Sequence, residues 1–187
     1  QERMTISREG VDSVINPLDY VALEAALSLR GTAGGEVTVI TMAPPQSEAA
    51  LREALALGAD RAILLTDSAF SGADTLATSH VLATAIRRVE PFPDLILCGM
   101  QTIDSDTGHV GPQIAEELDL PQVCGVNEIH TEEGALVVKR ISDGFLDTIR
   151  VSLPALLSMT LGAFASRDLS LGELEAAFSR QEVTQWG

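Results

Sequence analysis

One stretch decides the fold: VTVITMAPPQSEAALREALALGADRAILL, residues 37–65. Val37–Met42 is short, continuously apolar and β-branched, bounded by Gly34-Gly35 and Pro44-Pro45. Such a run reads as a strand buried on both faces. Ser47–Leu57 then changes period. Leu51 and Leu55 stand one helical turn apart, Ser47 takes the N-cap position and Gly58 terminates the helix. Arg61–Leu65 (RAILL) returns to a buried strand. A strand, a helix and a strand in that order make a parallel pair.

The same alternation extends outward. Asn16-Pro17-Leu18-Asp19 is a helix start: Asn caps, Pro takes the first helical position and Asp meets the positive end of the dipole. That helix runs to about Arg30 and ends at Gly31. Asp74 caps a helix from about Thr75 to Val89, which Pro91 and Pro93 stop. Asp94–Cys98 (DLILC) is a third buried strand. Asp106 or Thr107 opens a helix through Leu118, with Val110, Ile114 and Leu118 at helical spacing. The order α-β-α-β-α-β-α predicts a parallel sheet with helices on both faces. A strand is expected ahead of the first helix, and none is visible in Gln1–Ile15. With an opening at Gln1 instead of Met, this reads as a chain whose natural beginning is missing.

The second half changes character. Val123–His130, Ala135–Ile141 and Asp147–Leu153 read as strands, with turns at Glu133-Gly134 and Asp143-Gly144. They predict a small antiparallel excursion at one edge. Pro154–Thr160 reads as one more core strand. From Leu161 the tail offers a short helix, Leu171–Arg180, and ends at Trp186-Gly187 without further core. The organisation expected is an α/β domain over residues 1–160 and a tail over 161–187.

Composition narrows the function. The chain has 187 residues, with 12 Lys and Arg against 27 Asp and Glu, a net charge of −15. That surface repels phosphate backbones and anionic lipid, which argues against nucleic acid and membrane surfaces. No apolar run is long enough for membrane insertion as a helix. Aromatics are only 4%, so the core must be built from Leu, Ile, Val and Ala. Cys98 and Cys124 are too far apart for a metal or redox motif and read as buried free thiols, which favours a reducing compartment.

In a parallel sheet, ligands bind beyond the carboxyl ends of the strands. After Asp94–Cys98 comes Gly99-Met100-Gln101-Thr102-Ile103-Asp104-Ser105-Asp106-Thr107-Gly108-His109-Val110, a polar loop feeding a helix. Unpaired amides at the first turn attract anions, Gly108 lets a phosphate approach the backbone, and His109 adds a donor. A nucleotide phosphate pocket and an ordinary β–α loop with capping aspartates both fit this spacing. Asn16–Asp19 is likewise explained by helix capping alone, and Met42 by core packing. Asp104 and Asp106 have no spaced third ligand for a metal. No serine sits on a nucleophile elbow, so no catalytic residue is assigned.

Several segments together resemble one family, the electron transfer flavoprotein beta subunits. VINPLDY (14–20) with ALEAAL (22–27) is similar to their "NPYD…ALEEAL". Val37–Pro45, Leu51-Arg52 and Leu55–Arg61 resemble "VTVxTMGPP…LRxALAxGAD". Gly72–Ser79 (GADTLATS) continues the likeness. DLILCGMQTIDSDTGHVGPQIAEELDLPQ (94–122) resembles "GxQxIDxDTxQVGPxxAExLxLPQ". The wording is nearest to the branch of electron-bifurcating and nitrogen-fixation-associated subunits. The resemblance covers about residues 9–160.

The resemblance implies a Rossmann-like (adenine-nucleotide-hydrolase-like) α/β fold and a cytoplasmic bacterial or archaeal protein. It implies a heterodimer with an alpha subunit that shares FAD and serves flavin-dependent dehydrogenases, an electron carrier more than a stand-alone enzyme. It also implies a nucleotide held by the beta subunit itself: AMP in the ordinary family, or a second FAD addressed by NADH in the bifurcating branch. The nucleotide contacts carry over onto Asn16, Pro17, Leu18, Asp19, Met42 and Gly99–Val110. The helix start at Thr107–Val110 would hold the phosphate, and Asn16–Asp19 with Met42 the adenosine side. Partner recognition carries over onto Ser170 and Leu171. The chain departs from the family pattern in lacking its opening strand, in having Met100 for Lys or Arg, His109 for Gln and Ala43 for Gly, and in an acidic segment where a basic helix is usual. A non-redox AMP-binding or regulatory module of the same fold is the rival reading.

Overall fold

The computed structural model describes residues 13–102, 105–162, 164, 169–180 and 182–187. The elements are α1 (Pro17–Ala33), β1 (Thr38–Met42), α2 (Glu48–Leu57), β2 (Arg61–Leu65), α3 (Thr75–Arg87), β3 (Leu95–Gly99) and α4 (Val110–Glu117). They continue with β4 (Gln122–Glu132), β5 (Ala135–Ser142), β6 (Phe145–Ser152), β7 (Ala155–Met159), α5 (Leu171–Arg180) and β8 (Val183–Trp186). The fold is α/β, with parallel strands flanked by helices and an antiparallel meander β4-β5-β6, as the sequence pattern predicts. The segment ahead of Ser13, where a further strand was sought, lies outside the described residues.

Hydrogen bonding groups the strands as β1-β2-β8 and β3-β7-β4-β5-β6. The side chains show that both groups share one layer. On β2, Ala62 and Leu64 pack with Leu23 and Leu27 of α1, while Ile63 and Leu65 pack with Ala85 of α3 and with Val89 just beyond it. On β3, Leu95 and Leu97 join Val21 and Ala25 of α1, while Ile96 and Cys98 join Ala83 and Ile86 of α3. Alternate residues therefore face opposite helices, as the two-residue strand period requires. α1 spans both groups on one face and α3 spans both on the other. Between the groups lie β1 and β3, and among the described residues each is paired on one edge only. Every residue of both strands is half-buried, whereas all five of β7 are buried.

Three local expectations are corrected. α1 continues through Gly31 to Ala33, because Gly34, with φ of 78°, supplies the turn that closes it onto the Arg30 carbonyl. α4 begins at Val110 and not at Asp106 or Thr107, because Asp106 (φ 51°) and Gly108 (φ 64°) are left-handed and no helix passes through such residues. Ser47 occupies the N-cap position of α2 without a capping bond; its hydroxyl instead lies 3.0 Å from that of Ser13.

The tail also differs from expectation, because it does add core. β8 pairs in parallel with β2, Val183 opposite Ala62 and Trp186 opposite Leu65. Ala177 of α5 is 1% exposed and belongs to the α1–α2 core. Two arginines fasten this segment. Arg52 donates to the carbonyls of Ala177 and Phe178 at 3.1 and 3.3 Å, and Arg88 stacks over the Trp186 ring at 4.9 Å. A four-residue strand carries little periodic signal, which is why the sequence pattern missed it.

Asp60 ties the ends of α1, α2 and β1 together. Its carboxylate accepts from Arg30 Nη1 at 2.7 Å and from the Val37 amide at 2.8 Å, and Arg30 also reaches the Gly58 carbonyl at 2.7 Å. Desolvation pushes the Asp60 carboxyl up, but the Val37 amide and the Arg30 guanidinium outweigh it and hold it below its ordinary value. Among the described residues, no helix is long and apolar enough to cross a membrane.

Two outcomes are expected. Val183→Asp buries a charge against α2 and β2 and costs roughly 3 kcal/mol of unfolding free energy, read by urea titration. The Asp60 contribution is present above the unfolded carboxyl pKa and is lost as pH falls through the lowered native one. Wild-type melting temperature should therefore fall more steeply than that of Asp60→Asn as pH drops from about 5 to about 3. Parallel curves would remove Asp60 from this role.

Candidate functional site

Two segments far apart in sequence meet where the amino end of α1 abuts the carboxyl end of β3. The expectation that Asn16 caps α1 is corrected: its side chain makes no capping bond. Its Nδ2 donates instead to Asp19 Oδ2 at 2.9 Å and to the Gln101 carbonyl at 3.0 Å. Asp19 Oδ1 in turn accepts from the Gly99 amide at 2.6 Å. The approach is so close that a Cβ on Gly99 would lie 2.7 Å from Leu18 Cβ and 2.8 Å from the Asp19 amide nitrogen. Only glycine permits this contact. Asn16–Asp19 and Gly99–Gln101 are thus one structural unit.

From there the loop folds back on itself. Gln101 Nε2 donates to Asp106 Oδ1 at 3.1 Å, Thr102 and Ser105 hydroxyls lie 3.1 Å apart, and the Asp106 amide donates to the Thr102 carbonyl at 3.0 Å. Ile103 and Asp104 lie outside the described residues. Gly108 turns the chain past Met100: a Cβ there would lie 3.2 Å from the Met100 carbonyl oxygen. The chain then enters α4, with exposed His109 at the N-cap position and no capping bond from its side chain. The first-turn amides of Val110 and Gly111 have no intrahelical acceptor, and Pro112 has no amide to offer. Thr107, Gly108 and His109 therefore precede the helix, correcting the expectation that it starts among them.

Met42 ends β1 on the face of α3, packed with the cluster that contains Ile63, Leu65 and Val89. The loop after it borders the Asn16 segment, since Ile15 packs on the same core as Ala43 and Ser13 meets Ser47. Sequence reasoning missed Met159 and Gly125. The Met159 carbonyl accepts from the Met100 amide at 2.9 Å, and a Cβ on Gly125 would lie 3.6 Å from Met100 Sδ. No local motif marks either residue; only the pairing of β7 beside β3 and β4 brings them to the loop.

The electrostatics are unusual for an anion site. None of the described residues among Asn16–Asp19, Met42 and Gly99–Val110 is Lys or Arg, so attraction must come from amides and His109. Asp19 is answered by the Gly99 and Asn16 amides. Burial, then the charge of Asp19 and the proximity of Cys124, push the Cys98 thiol far above its ordinary value, which leaves it protonated. His80 lies 2.7 Å from Glu117 and His130 lies 3.3 Å from Glu128, both outside this site. One polar atom stands out: Asn16 Oδ1 is shielded from solvent and, among the described residues, has no hydrogen-bond partner.

The second candidate surface is the start of α5. Ser170 and Glu173 form a capping box: the Ser170 amide and hydroxyl donate to Glu173 Oε2 at 2.8 and 2.6 Å. Those two bonds hold the Glu173 carboxyl below its ordinary value. Leu171 beside them is 81% exposed, the highest value among the exposed large hydrophobic side chains described.

Residues 3–186 match the electron transfer flavoprotein domain. The chain belongs to this family. It is 48% identical over 179 residues to the electron transfer flavoprotein subunit beta of Thermoanaerobacterium thermosaccharolyticum, covering 96% of this chain and 68% of that protein. It is 48% identical over 188 residues to protein FixA of Sinorhizobium fredii, covering 97% and 66%. It is 47% identical over 184 residues to the caffeyl-CoA reductase-Etf complex subunit CarD of Acetobacterium woodii, covering 97% and 69%. The chain thus spans about two thirds of the length of these curated relatives. Membership on the beta-subunit side, FixA branch included, agrees with the motifs at 14–27 and 94–122.

Gly99→Ala tests the junction. It should cost about 1 to 3 kcal/mol, because the added methyl meets backbone and not a flexible side-chain end. Hydrogen exchange should accelerate at the first turn of α1. An unchanged urea midpoint would show that the two segments can part without loss.

Proposed function

We propose that this chain is the nucleotide-binding part of an electron transfer flavoprotein beta subunit, which with an alpha subunit carries electrons between flavin-dependent dehydrogenases and an acceptor. The observation that carries this reading is the junction of Asn16–Asp19 with Gly99–Gln101 at the carboxyl end of a parallel strand, where α/β folds hold nucleotides. The residues fit such a group in three respects. Among the described residues, Asn16 Oδ1 lacks a donor. Gly108 lies against the Met100 carbonyl where any side chain would crowd the loop. The first-turn amides of Val110 and Gly111 have no acceptor within α4, the arrangement that suits an anion at a helix start.

In this reading Val110, Gly111 and His109 hold the phosphate, and Asn16–Asp19 with Met42 line the adenosine side. Bound flavin supplies the electron chemistry by taking up and releasing reducing equivalents. The chain's own residues bind, orient and exclude water, and none is a catalytic acid or base. The bound nucleotide is AMP or, in a bifurcating complex, a second FAD reduced by NADH. Leu171, held outward by the Ser170–Glu173 box, is the contact offered to a dehydrogenase. The free thiols Cys98 and Cys124 suit a cytoplasmic compartment.

A non-redox AMP-binding module is the second reading, favoured by the acidic face of α5 at Glu173 and Glu175. Coexpression with an electron transfer flavoprotein alpha subunit separates the two. A yellow complex with a flavin absorption band is expected; a colourless chain that copurifies with AMP alone would favour the module. Two flavins per heterodimer would indicate the bifurcating type. In Gly108→Val, bound nucleotide should fall at least about tenfold while the far-ultraviolet circular dichroism stays unchanged. Undiminished nucleotide in that variant would place the phosphate elsewhere.

A further inference from the structure

The outer edge of the antiparallel meander offers a surface that the nucleotide reading does not use. We propose that β6 pairs with β6 of a second copy of this chain, in antiparallel register about Thr148, to make a two-fold dimer.

Among the described residues β6 is the last strand of its five-stranded sheet, and it pairs with β5 from Phe145 to Ser152. Its other edge presents a regular row of amides and carbonyls, a template for a further strand. Folded proteins usually blunt such an edge with charge. Here both charges on β6 are engaged within the chain: Asp147 accepts from Arg140 Nε at 3.1 Å, and Arg150 Nε donates to Glu132 at 3.0 Å. The β5–β6 hairpin, residues 135–152, carries Lys139, Arg140 and Arg150 against Asp143 and Asp147. The net charge of −15 therefore lies elsewhere, and two such hairpins meet without the repulsion that opposes contact between other faces. The hairpin end is also apolar: Phe145 is 73% exposed, Ile141 65% and Leu146 64%. A basic partner is drawn to the acidic faces. What suits this one is an equally neutral, apolar surface, and a second copy supplies it.

A two-fold axis between antiparallel strands sets one residue opposite itself. Centring on Asp147 or Arg150 opposes like charges, which is destabilising. Centring on Ile149 leaves Phe145 beyond the end of the other strand, and centres nearer either end shorten the ladder. Centring on Thr148 sets Thr148 against its counterpart, Phe145 against Val151 and Leu146 against Arg150. Phe145 and Val151 share a face by strand alternation, and Val151 is packed in the cluster of Leu136, Val138 and Val21. Each exposed ring thus extends the apolar cluster of the other copy. Aromatic–β-branched and Thr–Thr pairs both favour a ladder, and the Arg150 stem lies along Leu146. The contact closes on itself, so it yields a dimer and not a filament. It buries on the order of 1,000 Å², the low end for a specific interface, so the dimer forms as concentration rises.

Sedimentation equilibrium of the full chain tests this. Between about 2 and about 200 µM the weight-average mass should climb from one chain toward two. Thr148→Lys sets two ammonium groups opposite each other at an exposed position. It should raise the dimer Kd at least about tenfold with the circular dichroism unchanged. Cross-linking reads the register. Under mild oxidation Thr148→Cys should form a covalent dimer, because residues facing each other across a ladder lie within disulfide reach. Arg150→Cys should not, since its counterpart lies further along the ladder, and nor should the wild type. A mass that stays at one chain across the range, a Thr148→Lys variant as dimeric as the wild type, or equal cross-linking of the two cysteine variants overturns the proposal. So does a monomeric wild type whose capture by an electron transfer flavoprotein alpha subunit is lost in Thr148→Lys, which gives the face to that subunit. The wild-type concentration series needs no variant to fold, and none of these readouts depends on bound nucleotide.

Discussion

The hydrogen bond from the Gly99 amide to Asp19 is the constraint on which the rest of the site depends. It joins the last residue of β3 to the first turn of α1 at 2.6 Å. It exists only because Gly99 has no Cβ to strike Leu18. Once Asp19 is held there, Asn16 is held by Asp19, the Gln101 carbonyl is held by Asn16, and the loop from Met100 to Gly108 has a fixed root. The amino end of α4 follows from the place where that loop can turn. A carboxylate at the third position of a helix would ordinarily serve its own dipole; here its reach is turned across the sheet end.

The strands and helices were legible in the sequence because their periods differ. RAILL and DLILC are continuous apolar runs, and the helices between them carry apolar residues at turn spacing, so type and order follow from burial alone. What was not legible arises where one residue serves two purposes. Asn16 has the composition of a cap but is recruited by Gln101, 85 positions away. Asp106 looks like a helix start, yet its left-handed backbone, together with that of Gly108, defers the helix to Val110. Such choices are set by tertiary neighbours, and no local propensity records them.

The candidate site divides the same way. The loop 99–110 was visible as a polar, glycine-bearing segment after a buried strand, and its likeness to a family motif gave it a role. Met159 and Gly125 could not be found, because their relation to Met100 depends on β7 lying between β3 and β4. The tail illustrates the converse error. The acidic helix reads as a detached tail and the short strand carries no periodic signal, but Arg52 ties the helix to α2 and Arg88 stacks on the strand's Trp186. No local signal marks either arginine for this role; only the contacts of Arg52 with the α5 carbonyls and of Arg88 with Trp186 fasten the tail to the core.

The half-buried flanks of β1 and β3 set a condition on how the protein behaves at high concentration. A strand edge without a neighbour presents a row of amides and carbonyls on which another chain can build, and this is how folded proteins begin to self-associate. β1 (TVITM) and β3 (LILCG) carry no charged residue to discourage such growth. Among the described residues, α1 and α3 cover both faces where β1 and β3 meet, and the net charge of −15 gives every copy the same repulsive sign. The acidity that argues against nucleic acid thus also acts as a colloidal safeguard for the folded chain.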